Sequence, residues 1–179
     1  LQDLGIINLV MDTKRHLLWI RSILVFFVLA LGISGFTAIP LRFELNILNL
    51  IAGKETFVDG IAPLLSSWIS LVHRAIEDLY QDYAFLGYGY DWLAFGHFVI
   101  AIAFMGAVKD PIKNRWVIEF GMIACVLILP YAFFLGQLRG IPMLWRIIDM
   151  SFGVLGIIPL YFARKMTLEL ESDLLSTEK

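Results

Sequence analysis

Four runs of apolar side chains constrain this chain more than anything else in it: Leu17 to Ile39, Trp92 to Val108, Trp116 to Gly136 and Ile141 to Ala163. Each comes close to the roughly 20 apolar residues that cross a bilayer as a helix at about 1.5 Å per residue. The first run follows Lys14-Arg15 and could be taken for a secretory signal. Its apolar core from Ile23 to Ile39 exceeds the roughly 7–15 residues of such a signal, and further spans follow, so it reads as retained. Pro130 falls inside the third run, where a membrane helix tolerates it if a neighbour satisfies the freed carbonyl.

Composition agrees with the runs. Of 179 residues, 59% are hydrophobic and only 17% charged, against about half and a quarter in a soluble domain; the mean hydropathy is +0.79. The net charge of −2 comes without a basic block or the basic and aromatic interleaving of a nucleic-acid binder, so nucleic acid is not an expected partner. Cys125 is the single cysteine, which excludes an intrachain disulfide and a CxxC motif. It sits in an apolar run as a small core residue. The chain opens on Leu1 rather than Met, and a missing true N-terminus is part of the expectation.

Four spans place both termini on one side, and basic residues choose the side. Lys14, Arg15, Arg21, Lys109, Lys113, Arg115, Arg164, Lys165 and Lys179 flank one face; Arg42, Lys54, Arg74 and Arg139 flank the other. The bias puts both termini, including the tail 164–179, in the cytoplasm. Trp19 and Trp116 then mark the inner interface, and Trp92 and Trp145 the outer, as an aromatic belt would.

The outer loop, 40–91, contains one helical pattern, about 61–83. Ile61, Leu64, Leu65, Trp68, Val72, Ile76 and Leu79 form an apolar stripe, opposite Ser66, Ser70, His73, Arg74, Glu77 and Asp78. Asp59, Gly60 and Pro63 suit its start. The expectation is an amphipathic helix packed along the outer interface. After it, Phe85-Leu86-Gly87-Tyr88-Gly89-Tyr90 has a pore-loop look. A potassium filter, however, needs a TVGYG strand in a tetramer, and Trp92 starts the next span at once. A glycine hinge is the better account.

Arg146 and Asp149 are the anomaly of the fourth run. Its eleven Leu, Ile, Phe and Val residues favour insertion by roughly 3–7 kcal/mol, while two central charges cost about 5–7 kcal/mol. These charges need matching, and at a spacing of three they could bridge each other. Trp92 to His97 and Ile141 to Arg146 descend by the same five residues, about 7.5 Å, and Tyr131 lies at a similar level. His97, Tyr131, Arg146 and Asp149 are therefore expected to form a polar cluster in the outer half of the bundle, with Tyr88, Tyr90 and Asp91 at its rim. Ionisable residues at such depth mark a site unless they only fix packing. Glu119, one turn inside the inner surface and four residues from Arg115, is the candidate inner-side site.

Catalytic and metal motifs are missing. The sequence contains no HExxH, P-loop or GxSxG, and no clustered metal ligands. His97 is the one histidine within a span, so a bis-His haem would need two chains. Thr37 and Ser151 lack a base at defined spacing. No cofactor is predicted. Gly32-x-x-Gly35 and Gly153-x-x-Gly156 permit close helix approach.

YDWLAFGHFVIAIAF, DPIKNRWVIEFGMIAC and RGIPMLWRIIDMSFGVLGIIPL resemble a family of bacterial integral membrane proteins with four predicted spans, a likeness running from Ser34-Gly35-Phe36-Thr37 onward. The resemblance implies a bacterial inner-membrane setting and brings no activity, cofactor or functional residue.

The expectation is thus an all-α polytopic membrane protein with four transmembrane helices plus an extracytoplasmic amphipathic helix. Its leading function is non-catalytic: binding a lipid-like ligand (or a partner protein, or a second copy) through an outer-leaflet cavity, where Arg146 would suit an anionic headgroup. One alternative is an intramembrane enzyme acting on a lipid or isoprenoid, with His97 or Asp149 as acid–base and Arg146 as stabiliser. A third is a proton-coupled transporter, which would need an oligomer because no repeat relates the halves.

Overall fold

The computed structural model describes the backbone of residues 2–177 and the side chains of 13–176. The expectations resting on Leu1 (the missing N-terminus) and Lys179 (the cytoplasmic charge count) lie outside the described residues. Among the described residues the chain is all α: α1 (Gln2–Ala38), α2 (Leu41–Ala52), α3 (Phe57–Ile61), α4 (Pro63–Asp82), a 3₁₀ turn (Ala84–Gly87), α5 (Tyr88–Lys109), α6 (Arg115–Leu138) and α7 (Met143–Thr177).

Among the described residues four segments are long and apolar enough to cross a membrane: Thr13–Ala38, Ala84–Lys109, Arg115–Leu138 and Met143–Ser176. In the most apolar stretch of the first only 11% is buried within the protein. Apolar side chains turned outward in such numbers are what a lipid solvent requires, since helices satisfy their own backbone and need no water. Trp19, Trp92 and Trp116 are all more than half exposed. Pro130 is accommodated inside α6, which runs on past it.

Two compact units divide the chain. In the first (Leu1–Ala30, Ile100–Leu129, Ser151–Lys179) the core is Ile20, Leu24, Phe104, Ile118 and Leu160, each fully buried. Phe27 meets Phe104 with ring centroids 4.8 Å apart. Arg21 donates from Nε to the Val108 carbonyl (3.1 Å) and from Nη2 to that of Lys109 (3.0 Å). A cation thereby satisfies carbonyls that the last turn of α5 leaves without intrahelical partners. The α5–α6 turn is tied by Asn114, whose Nδ2 donates to the Gly106 and Asp110 carbonyls. In the same turn the Lys113 N–H donates to the Asp110 carboxylate (3.1 Å).

The second unit (Leu31–Val99, Pro130–Met150) contains a helix, α2, in the 40–91 segment ahead of the expected amphipathic one. α2 runs antiparallel to α4, and three polar rungs join them. Arg42 donates from Nε to both Glu77 oxygens (2.9 and 3.1 Å). The His73 ring nitrogen Nε2 lies 2.6 Å from Asn46 Oδ1. Ser70 donates to Asn49 Oδ1 (2.8 Å) and accepts from the Lys54 N–H (2.9 Å). Positions 42, 46 and 49 share one face of α2, as 70, 73 and 77 share one face of α4.

The helix expected at about 61–83 is α4, Pro63–Asp82; it starts two residues later because the chain breaks at Ala62 (φ −136°, ψ 68°), where the ring of Pro63 disfavours helical geometry in the residue before it. The apolar stripe is only partly covered: Ile76 is buried and Leu65, Trp68, Val72 and Leu79 are half-buried, but Leu64 is 80% exposed, while Ser66 and Ser70 of the polar face are buried. The reason is α2, whose polar stripe offers hydrogen-bond partners to the polar face of α4.

The outermost rung titrates. Hydrogen bonding from the Arg42 guanidinium holds the Glu77 carboxyl below its ordinary value of 4.5. A depressed carboxylate contributes stability above its unfolded pKa and loses it as pH falls through the folded one. The α2–α4 pair should therefore weaken as pH falls through and below the ordinary Glu range, and Glu77→Gln should flatten that dependence. Thermal unfolding in detergent as a function of pH checks it; a Glu77→Gln profile parallel to wild type would refute the assignment.

Candidate functional site

Arg146 and Asp149 do not bridge. Among the described residues Arg146 reaches across to α6, with its stem lying over Gly136, where an added Cβ would come within 2.6 Å of Arg146 Cδ. Its Nη1 donates to the Phe133 carbonyl (3.0 Å), and the guanidinium carbon stands 5.7 Å from the Phe133 ring centroid. Nε is buried without a hydrogen-bond partner. Asp149 has neither an ion-pair nor a hydrogen-bond partner among the described residues. The physical reason is reach: a long side chain three residues from a short one on the same helix finds better acceptors on the neighbouring helix than in the short one.

The two helices are held for this contact by the turn between them. Gly140 has φ +70°, a left-handed conformation that glycine adopts without penalty. Its N–H donates to Gln137 O, and that of Ile141 to Gly136 O, which closes α6 with a Schellman motif.

The other members of the expected cluster go separate ways. His97 places Nδ1 2.8 Å from the carbonyl of Leu93 on its own helix, while its Cβ packs against Gly35. Tyr131 is 67% exposed. No hydrogen bond or ion pair among the described residues joins His97, Tyr131, Arg146 and Asp149. At the expected rim, Tyr88 stands edge-on to Trp92, and α5 begins at Tyr88 itself. Gly87-Tyr88-Gly89 is thus the junction of a 3₁₀ turn and a helix, without the extended strand of an ion filter.

Glu119 lies in a four-membered ion network of the first unit. It accepts from Arg164 Nε at 2.9 Å and stands 3.6 Å from Arg115. Arg115 in turn donates to Glu171 at 2.6 Å. With two cations and two carboxylates the network is charge-balanced, which suits a structural tie between α6 and α7. No group of three or more metal-ligating side chains is found among the described residues.

A groove in the second unit mixes apolar walls with polar groups. It has a volume of about 660 Å³, within the range of small-molecule sites. Phe36 at the end of α1, Pro40 in the turn before α2, Phe43, Ile47 and Leu48 of α2, and Trp145 of α7 are among its walls. Thr37 and Glu44 are its polar members. None of the four predicted cluster residues lines it, although Trp145 adjoins Arg146 in sequence. The sequence signal that could have found it is the period of Arg42-Phe43-Glu44-Leu45-Asn46-Ile47, in which one face of a short helix pairs with α4 and the next stays apolar. A second, smaller hollow in the first unit (Met122, Ile157, Ile158, Tyr161, Phe162) is wholly apolar.

No family model matches this chain, and searches of curated proteins and of solved structures return no match.

Proposed function

We propose that this chain is a small integral protein of a bacterial inner membrane, with both termini cytoplasmic, which holds a lipid-like ligand without transforming it. The ligand's hydrocarbon part lies in the groove between the end of α1, α2 and Trp145, and α4 is the extracytoplasmic amphipathic helix. The basic-residue bias supports the orientation, and it puts the groove in the outer leaflet.

The observation that carries the reading is the groove itself. Its walls are aromatic and aliphatic, and its α1 side continues an outward apolar surface on which Ile33 and Phe36 are 63% and 68% exposed. A hydrocarbon tail can pass from such a surface into the groove without crossing a polar rim. Two side chains support the non-catalytic reading: His97 is turned to the carbonyl of Leu93 on its own helix and Arg146 to that of Phe133.

Mass spectrometry of gently solubilised protein, with extraction of bound lipid, tests it. Wild type should retain a lipid that Ile47→Trp, which fills the groove from a half-exposed position, releases while keeping its helix content. If the folded variant keeps the same lipid at the same occupancy, the groove is not the site.

A further inference from the structure

Within the groove one charge has no partner. Glu44 is half-buried, and among the described residues it makes no ion pair and its carboxylate accepts no hydrogen bond. The cation two residues before it, Arg42, is committed to Glu77 on the other side of α2. The short helix therefore sorts its charges, with the positive one spent in the α2–α4 rungs and the negative one turned to the groove. Three aromatic side chains, Phe36, Phe43 and Trp145, line the same groove. A carboxylate in a groove that also holds aromatic side chains is the chemistry that recognises an ammonium group: the carboxylate supplies charge, and ring quadrupoles attract a cation within about 6 Å of their centroids. The same carboxylate repels a headgroup whose net charge is negative.

Resting on the groove reading above, we infer that the ligand is a membrane lipid with an ammonium headgroup, seated with its ammonium at Glu44 and its tail along Phe36, Phe43 and Ile47. This reverses the headgroup expected from Arg146, whose Nη1 is committed to the Phe133 carbonyl. A lipid rather than a free amine is the assignment because one groove wall is the end of a membrane-crossing helix whose outward face is apolar.

The test is competition by native mass spectrometry between two synthetic lipids with identical tails, one carrying phosphoethanolamine and one phosphoglycerol. Wild type should hold the first over the second by about tenfold, the scale of one good cation–π or charge contact. Glu44→Gln, isosteric and uncharged, should bring the ratio near one while total retention persists. Ile47→Trp should release both lipids alike. A wild-type ratio of one, or a ratio untouched in Glu44→Gln, overturns the ammonium assignment and leaves the groove reading standing if Ile47→Trp still releases lipid. Wild type that holds neither lipid overturns both. Dodecylammonium, the same charge on a single free tail, serves as the competitor for source: tighter binding than the phosphoethanolamine lipid overturns the lipid in favour of a free amphiphilic amine.

Discussion

Gly153→Leu is expected to lower the unfolding temperature of the detergent-solubilised protein more than any other single change named here. A Cβ at Gly153 would collide with the carbonyl oxygen of Cys125 and with a methyl of Ile128, and the first of these is backbone that cannot rotate away. One turn on, a Cβ at Gly156 would meet Cys125 Sγ at 2.9 Å. In a lipid solvent, helices gain little from hiding apolar groups from each other, and close backbone approach at small residues is what holds them. Forcing a branched side chain into that contact costs about 1–3 kcal/mol or more by overpacking.

Gly32 supplies the control. It belongs to the same kind of Gly-x-x-Gly spacing, yet nothing lies within 4 Å of the place its Cβ would occupy. Gly32→Ala should therefore be neutral or stabilising, by up to about 1 kcal/mol of helix propensity. Equal losses at the two positions would mean that the α6–α7 contact at Gly153 is not the one described.

Arg146→Ala is expected to cost about 1–3 kcal/mol, through loss of the stem packed on Gly136 and of a charge-assisted hydrogen bond. Asp149→Asn is expected to be neutral or stabilising, since it removes a charge that has no partner among the described residues from an apolar helix. The sharper result is the double variant. Residues that do not interact contribute additively, to within about 0.5 kcal/mol. A thermodynamic cycle over wild type, both single variants and the pair should close inside that limit. A coupling well above 1 kcal/mol would restore the intrahelical bridge that the spacing of three suggests. Arg146→Met, which keeps the stem and drops the charge, should recover part of the loss and so separate packing from hydrogen bonding.

Much of the architecture was legible from length and polarity alone. An apolar run near the length of a bilayer has one low-energy conformation in lipid, so four such runs define four helices whatever surrounds them. The glycine spacing on α7 was legible for a similar reason, because few residues other than glycine permit two backbones to approach so closely. The second helix of the 40–91 segment was not. Leu41–Ala52 is only 12 residues, too short to cross a bilayer, and its polar positions look like loop residues until α4 is set beside them.

The candidate site divides the same way. The sequence by itself determined that Arg146 and Asp149 need an account, because two charges in an apolar run nearly cancel its insertion energy. Depth along a helix could also be counted, and that count set His97, Tyr131 and Arg146 at matching heights as an expectation. Height does not give azimuth. Whether side chains at one level meet depends on helix rotation, which is set by contacts such as Gly35 against His97 and Gly136 against Arg146. Those contacts exist only in the folded chain. The tertiary structure alone decided that Arg146 turns to α6, that the polar face of α4 turns to α2, and that Glu44 remains in an apolar groove. The hydrogen-bonding power of each side chain is local, but the partner that satisfies it lies far away in sequence.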